Sequence, residues 1–201
     1  MDHDFLSFKP AKASHRLVLL HGWGADAEDL LPLGRKLVED LGFCWELISF
    51  HAPHIHPQGY GRQWYGLFPP AWHEVPEAVD ALQNRFKLLS TPQIPLNRTL
   101  LLGFSQGGAM ALASGLDLPF AGVVACSAYP HPDWNPPLKR PPVLLSHGKQ
   151  DEVVPFQASE KLLTLLKSSL EEVQLIPFTG AHSIPEEILP KLNQVAKLWF
   201  K

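Results

Sequence analysis

The 201-residue chain is short of several things, and each shortage narrows what it can be. There are two cysteines, Cys44 and Cys126, far apart and each among apolar neighbours. That pattern gives neither a disulfide framework nor a thiolate metal site, and both are expected to be buried free thiols. No apolar run reaches the length that crosses a bilayer, and the opening "MDHDFLSFKPAK" lacks the apolar stretch of a secretory signal. A soluble, cytoplasmic protein with no stable membrane insertion is the expectation. No block of lysine or arginine accompanies the formal net charge of -3, so nucleic acid is not an expected partner. Internal repeats and low-complexity tracts are absent as well. With 45% apolar residues, one domain over residues 1–201 is the simplest organisation.

What is present in excess is proline. Six of the 20 prolines fall in "YPHPDWNPPLKRPP", residues 129–142, which reads as a loop. Elsewhere short apolar runs alternate with helical patterns. "RLVLLHG", "WELISF", "RTLLLGF", "FAGVVACSA", "PVLLSHG" and "EVQLIPF" read as strands, the most apolar of them buried on both faces. Between them, "ADAEDLLPLGRKLVEDL" reads as a helix capped by Asp26, "EVPEAVDALQNRFKLLS" as a second, and "QGGAMALASGL" as a third made of small residues. "PFQASEKLLTLLKSSL", opened by Pro155, and "IPEEILPKLNQVAKLWF" complete the set. The expected class is α/β, a mostly parallel central sheet flanked by helices on both faces. In such sheets ligands bind beyond the carboxyl ends of the strands.

One of those strand ends carries chemistry. Gly103-Phe104-Ser105-Gln106-Gly107 matches G-x-S-x-G where the pattern has mechanical meaning, after an apolar strand and before a helix. A serine on so tight a turn is lifted above the sheet, and the following helix directs its N-terminal amides to the same place. A serine hydroxyl is a weak nucleophile, so it needs a base and a group that orients the base. In this architecture they follow in the order Ser, acid, His. "LLSHGKQDEVVP" supplies Asp151, with Glu152 as a rival, and "LIPFTGAHSIP" supplies His182. Ser183 and Glu186 form an S-x-x-E pattern that is expected to cap a helix just after His182. For the oxyanion of acyl transfer, the expected donors are the backbone amides of Gln106 and of Trp23 in "HGWGAD".

The segments "LLHGWGAD", "RQWYGLFP", "GFSQGGAMALA" and "SHGKQDEVVP", followed by "GAHSIPEEI", together resemble the phospholipase/carboxylesterase family, which includes acyl-protein thioesterases and small bacterial carboxylesterases. The resemblance runs from about Arg16 to Phe200. It implies an α/β-hydrolase fold without a large cap domain, no cofactor, and hydrolysis of carboxylic esters or thioesters of medium to long acyl chains. By matching position it makes Ser105 the nucleophile, Asp151 the acid and His182 the base, with Trp23 and Gln106 as oxyanion amides. The chain departs from the family pattern at Trp23, Glu152 and Ala181, where leucine, proline and glycine are common. The first two bear on the acyl entrance and the acid loop.

Two further groups compete for attention. His51, His54 and His56 in "HAPHIHPQG" invite a metal reading, but no carboxylate or thiolate lies nearby and packed or solvent-facing imidazoles are preferred, with no metal expected. The aromatic loop holding Trp64, Tyr65, Leu67, Phe68 and Trp72 is expected to border an apolar acyl pocket, and Trp23 is expected to bind substrate as well; covering the core edge is an equal alternative for the loop side chains. The expected substrate is a small-molecule ester or an acylated protein, and a homodimer is compatible with the reading. Thioesterase and lysophospholipase activities use the same machinery. A non-catalytic binding module, a metallohydrolase and a peptidase are the more distant alternatives.

Overall fold

The computed structural model describes residues 4–39, 41–167 and 172–200. In chain order its elements are β1 (Phe5–Phe8), β2 (His15–Leu20), α1 (Leu31–Glu39), β3 (Trp45–Phe50), β4 (His54–Ile55), β5 (Arg62–Gln63), α2 (Val75–Leu89), β6 (Thr99–Phe104), α3 (Gln106–Gly115), β7 (Gly122–Cys126), β8 (Val143–Gly148), α4 (Gln157–Leu166), β9 (Val173–Phe178) and α5 (Leu189–Ala196). Seven strands form one sheet in the order β1-β3-β2-β6-β7-β8-β9. Every pair in it is parallel except β1 with β3. β4 and β5 make a separate antiparallel pair.

The apolar runs form strands because both faces of this sheet are covered. Alternate residues Val18, Leu101, Val123 and Leu145 face one core layer, under α2, α3 and α4. Leu17, Leu100, Val124 and Leu144 face the other, under α1 and α5. Each leucine so buried contributes about 1.5–3 kcal/mol. The middle of each central strand therefore carries apolar residues on both faces, and polar ones such as Arg16 and His147 stand toward the strand ends. β1 lies at the open edge, and its burial falls accordingly. At the base of the sheet a buried ion pair joins neighbours in register, Arg16 Nε to Glu46 Oε2 at 2.7 Å.

The order reverses between β2 and β6: from β2 the chain adds β3 on one side, and it later returns to place β6 on the other. A crevice opens at the carboxyl ends of strands at such a point. β6 then feeds α3, all of whose residues are buried, so only small side chains and few large ones fit between sheet and α2.

Several local expectations change in the structure. The first helix begins at Leu31, and Asp26 does not cap it. Asp26 Oδ1 accepts from Glu28 N at 2.8 Å, closing a turn of its own, and Pro32 fits only a first helical turn because it has no N–H to donate. The helix after Pro155 starts two residues later, and the end of that pattern, residues 168–170, lies outside the described residues, as does residue 40 near the end of the first. The closing helix is split into a short 3-10 turn at Glu186–Ile188, α5, and a second 3-10 turn at Lys197–Phe200. Pro185 and Pro190 interrupt the donor series, so Ser183 caps nothing and Glu186 pairs with Lys36 Nζ instead, at 2.5 Å. Cys126 is buried, but Cys44 is only half-buried near the start of β3, at the sheet margin. Residues 127–142 contain no helix or strand, so no cap is inserted between β7 and β8.

Candidate active site

Ser105 occupies the one residue between β6 and α3, with φ 53° and ψ -117°. This left-handed backbone is strained for a residue with a Cβ. It is held by Ser105 N donating to Cys126 O at 2.8 Å and Ala109 N donating to Ser105 O at 3.0 Å. The flanking glycines make the turn sterically possible. A Cβ on Gly103 would run into the Gly107 carbonyl, and one on Gly107 into the carbonyls of Leu20 and His21.

Asp151 and His182 come from the turns after β8 and β9. Two backbone bonds lace these turns together, Lys149 N to Phe178 O and Gln150 N to Gly180 O, each 2.9 Å. The result is a 2.7 Å hydrogen bond from His182 Nδ1 to Asp151 Oδ2. Asp151 Oδ1 accepts from Val153 N at 2.9 Å and Val154 N at 2.8 Å. Burial alone would raise this carboxyl, but the bonds from His182, Val154 and Val153 outweigh it and hold the group below its ordinary value. Glu152, the rival acid, is exposed. Because Nδ1 carries the proton toward Asp151, the lone pair on Nε2 is left for a hydroxyl. His182 and Ser105 line one cleft, and the Phe104 ring lies 4.8 Å from the imidazole. No hydrogen bond joins Ser105 Oγ to His182 among the described contacts, a looseness common before substrate binds.

The cleft has a volume of about 590 Å³. Trp23, Leu67, Phe68, Tyr129, Val153 and Pro155 give it an apolar wall, and Phe68, 74% exposed, stands at its rim. Asp29 also borders it, with a carboxyl raised by burial and by the nearby Asp26 charge. Neither the Trp23 nor the Gln106 amide donates to any protein acceptor among the described residues. Two unpaired N–H groups, one of them in the first turn of a helix, can receive a developing oxyanion.

Trp64 and Tyr65, expected as substrate-binding residues, do not line the cleft; for both, the alternative reading as core cover holds. Trp64 is 1% exposed and its indole Nε1 donates to His21 O at 2.9 Å. Tyr65 is buried, with its hydroxyl 2.7 Å from that of Tyr129 and 2.9 Å from His131 Nε2. The cause is the Gln106 side chain, which accepts from Trp64 N at 3.0 Å and donates to Tyr65 O at 2.9 Å. This clamp fixes the loop with both aromatics turned into the core. Trp72 also packs on the core. Of the loop residues, Leu67 and Phe68 are those at the cleft.

The structure adds residues that the sequence pattern did not point to. His21, fully buried, accepts Ala52 N on Nε2 at 3.1 Å and therefore donates from Nδ1 to Gly22 O at 2.7 Å. Burial lowers it to about 4, keeping it neutral in that role. Together with Trp64 it fixes the strand end from which Trp23 projects. The polar residue inside "RLVLLHG" is the only signal that could have marked it. The three histidines of the metal reading separate: His51 Nδ1 accepts from Ala27 N, His54 is exposed, and His56 packs against Trp23 at 4.1 Å. Among the described residues no three His, Cys, Asp or Glu side chains cluster as a metal site.

A strained serine at the switch point of a doubly covered parallel sheet, with an Asp-His pair beyond later strands, defines an α/β-hydrolase of the serine type. The chain belongs to the phospholipase/carboxylesterase family, whose model matches residues 1–200. Acyl-protein thioesterase 1 of Neurospora crassa is 27% identical, covering 87% of this chain and 83% of the relative. The protein of the same name from Yarrowia lipolytica is 28% identical over 73% of this chain and 74% of its own. The crystal structure of esterase PE8 is similar with a TM-score of 0.84 and 28% identity, covering 96% of this chain and 97% of that one.

Proposed function

We propose that this enzyme is a carboxylesterase acting on medium to long acyl chains, with Ser105, His182 and Asp151 as its catalytic triad. His182 Nε2 takes the Ser105 proton as Oγ attacks the ester carbonyl. The oxyanion is received by the Trp23 and Gln106 amides, each worth about 3–4 kcal/mol of transition-state stabilisation. The imidazolium then protonates the departing alkoxide, leaving an acyl-serine. Water, deprotonated by the same nitrogen, attacks the acyl carbon, and the proton returns to Ser105 as the acid leaves. The observation that carries this reading is the His182–Asp151 bond at the wall of an apolar cleft shared with a serine on a left-handed turn.

The test is labelling with a fluorophosphonate, followed by turnover of aryl esters of graded acyl length. Label on Ser105 and loss of turnover in Ser105→Ala support the reading; an active Ser105→Ala enzyme ends it. A second reading, cleavage of thioesters on acylated proteins, is favoured by the names of the two fungal relatives. The uncapped cleft suits such a bulky substrate. Matched ester and thioester pairs separate the two by kcat/KM.

A further inference from the structure

Resting on that triad, we propose that His147 is a positioning residue for the reaction, a second imidazole that holds the Asp151 carboxylate in register with His182. His147 lies on β8, four residues before Asp151, and is completely buried. Its Nε2 is 3.2 Å from Asp151 Oδ2, the same oxygen that His182 approaches from outside. The same nitrogen is 2.9 Å from Val154 O. A carbonyl only accepts, so Nε2 carries a proton, which it donates to Val154 O while the same nitrogen stays 3.2 Å from Oδ2 and favours its negative charge. Nδ1 then has a lone pair, which takes the Ser159 hydroxyl at 2.5 Å. Ser159 is itself completely buried, on α4.

The line therefore runs from Ser159 through His147 to Asp151 and on to His182. Its consequence is geometric. The Val153 and Val154 amides hold Oδ1, but a carboxylate fixed through one oxygen can still swing its other. With His147 on one side of Oδ2, the position left for the next donor is the one His182 occupies. A group so placed acts through Asp151 and touches no substrate. Its loss should therefore lower kcat and leave KM unchanged.

Three substitutions separate this from simple packing. His147→Gln keeps a donor amide close to the Nε2 position, His147→Asn places its amide too short to reach Oδ2, and His147→Leu removes donors altogether. In the full-length enzyme, kcat is expected to fall about 10–100-fold in the Leu and Asn variants, as for other outer partners of catalytic groups, and to recover to within a few fold in Gln. The low-field proton resonance of the His182–Asp151 bond should move in Leu and Asn and stay in Gln. Equal losses in Gln and Asn, an unaltered kcat in Asn, or an unmoved resonance would each overturn the proposal. If His147→Leu does not fold, the Gln and Asn pair decides alone. Ser105→Ala run in parallel keeps the two readings apart. Turnover surviving there ends the triad assignment, whereas its loss beside an unaltered His147→Asn ends only this one.

Discussion

Gln106 accepts a 3.0 Å hydrogen bond from the Trp64 backbone amide through its side chain, while its own backbone amide donates to no acceptor among the described residues. One residue thus holds the aromatic loop and offers an oxyanion donor. Gln106→Ala leaves that donor in place but strands the buried Trp64 N–H and Tyr65 C=O. Each stranded group costs about 1–3 kcal/mol. Urea unfolding should register that loss, and steady-state kinetics should show kcat reduced with Ser105 still labelled by a fluorophosphonate. Unchanged stability would show that the clamp is not needed.

Ser105→Gly gives the opposite result from most active-site changes. Glycine takes φ 53° without a steric penalty, so the variant should gain about 1 kcal/mol while losing turnover. A thermal melt beside an ester assay checks both halves at once.

The stability of the fold should fall with acid in two windows. His21 and His131 are lowered by burial from 6.5 to about 4. Between those values the unfolded chain binds protons that the folded chain does not, so stability declines as pH drops from about 6.5 toward about 4, by up to about 3 kcal/mol for each group. Asp151 works lower down. Its carboxyl is held below the ordinary value, so its contribution is present above about 3.9 and is lost as pH falls through the folded value. Urea midpoints measured from pH 7.5 to pH 4.5 should fall, and His131→Gln should flatten part of that slope.

The Arg16–Glu46 pair should be costly to halve and cheap to replace whole. Glu46→Leu leaves the Arg16 guanidinium buried without its carboxylate, which costs about 3–5 kcal/mol. Arg16→Met in addition should recover most of the loss, since the pair's attraction mainly offsets its own desolvation. A double-mutant cycle by denaturant unfolding measures the coupling.

Chain-length preference should respond to the cleft wall and not to the core. Leu67→Ala and Phe68→Ala are expected to shift the acyl length at which kcat/KM peaks, because both side chains border the cleft. Trp64→Ala should instead destabilise the fold by about 3–5 kcal/mol, the cost of emptying a core site. A shift in preference from Trp64→Ala without loss of stability would contradict its placement.

Much of the fold was legible because the decisive signals are local. β2, β6, β7 and β8 read as strands from their short apolar runs, residues 17–20, 100–102, 123–126 and 143–145, since both faces of each are covered there. Helix limits were less legible. Proline at 32, 185 and 190 sets where a helix can start, and helical spacing of apolar residues continues across those points unchanged. The chain order of Ser105, Asp151 and His182 marked the site, but nothing in that order marked His21 or His147, whose roles depend on what stands opposite them.

By itself the sequence determined the alternation of strand and helix and the turn that holds Ser105, because backbone sterics and side-chain burial act over a few residues. Only the tertiary structure decided which aromatics face the cleft. Trp64 and Tyr65 are turned inward by Gln106, about 40 residues further along the chain, and an irregular loop has no periodicity from which such a side could be read. The meeting of Asp151 with His182 was decided in the same way. Backbone bonds between two separate turns hold the pair together, so their 2.7 Å contact belongs to the packed sheet and to neither segment alone.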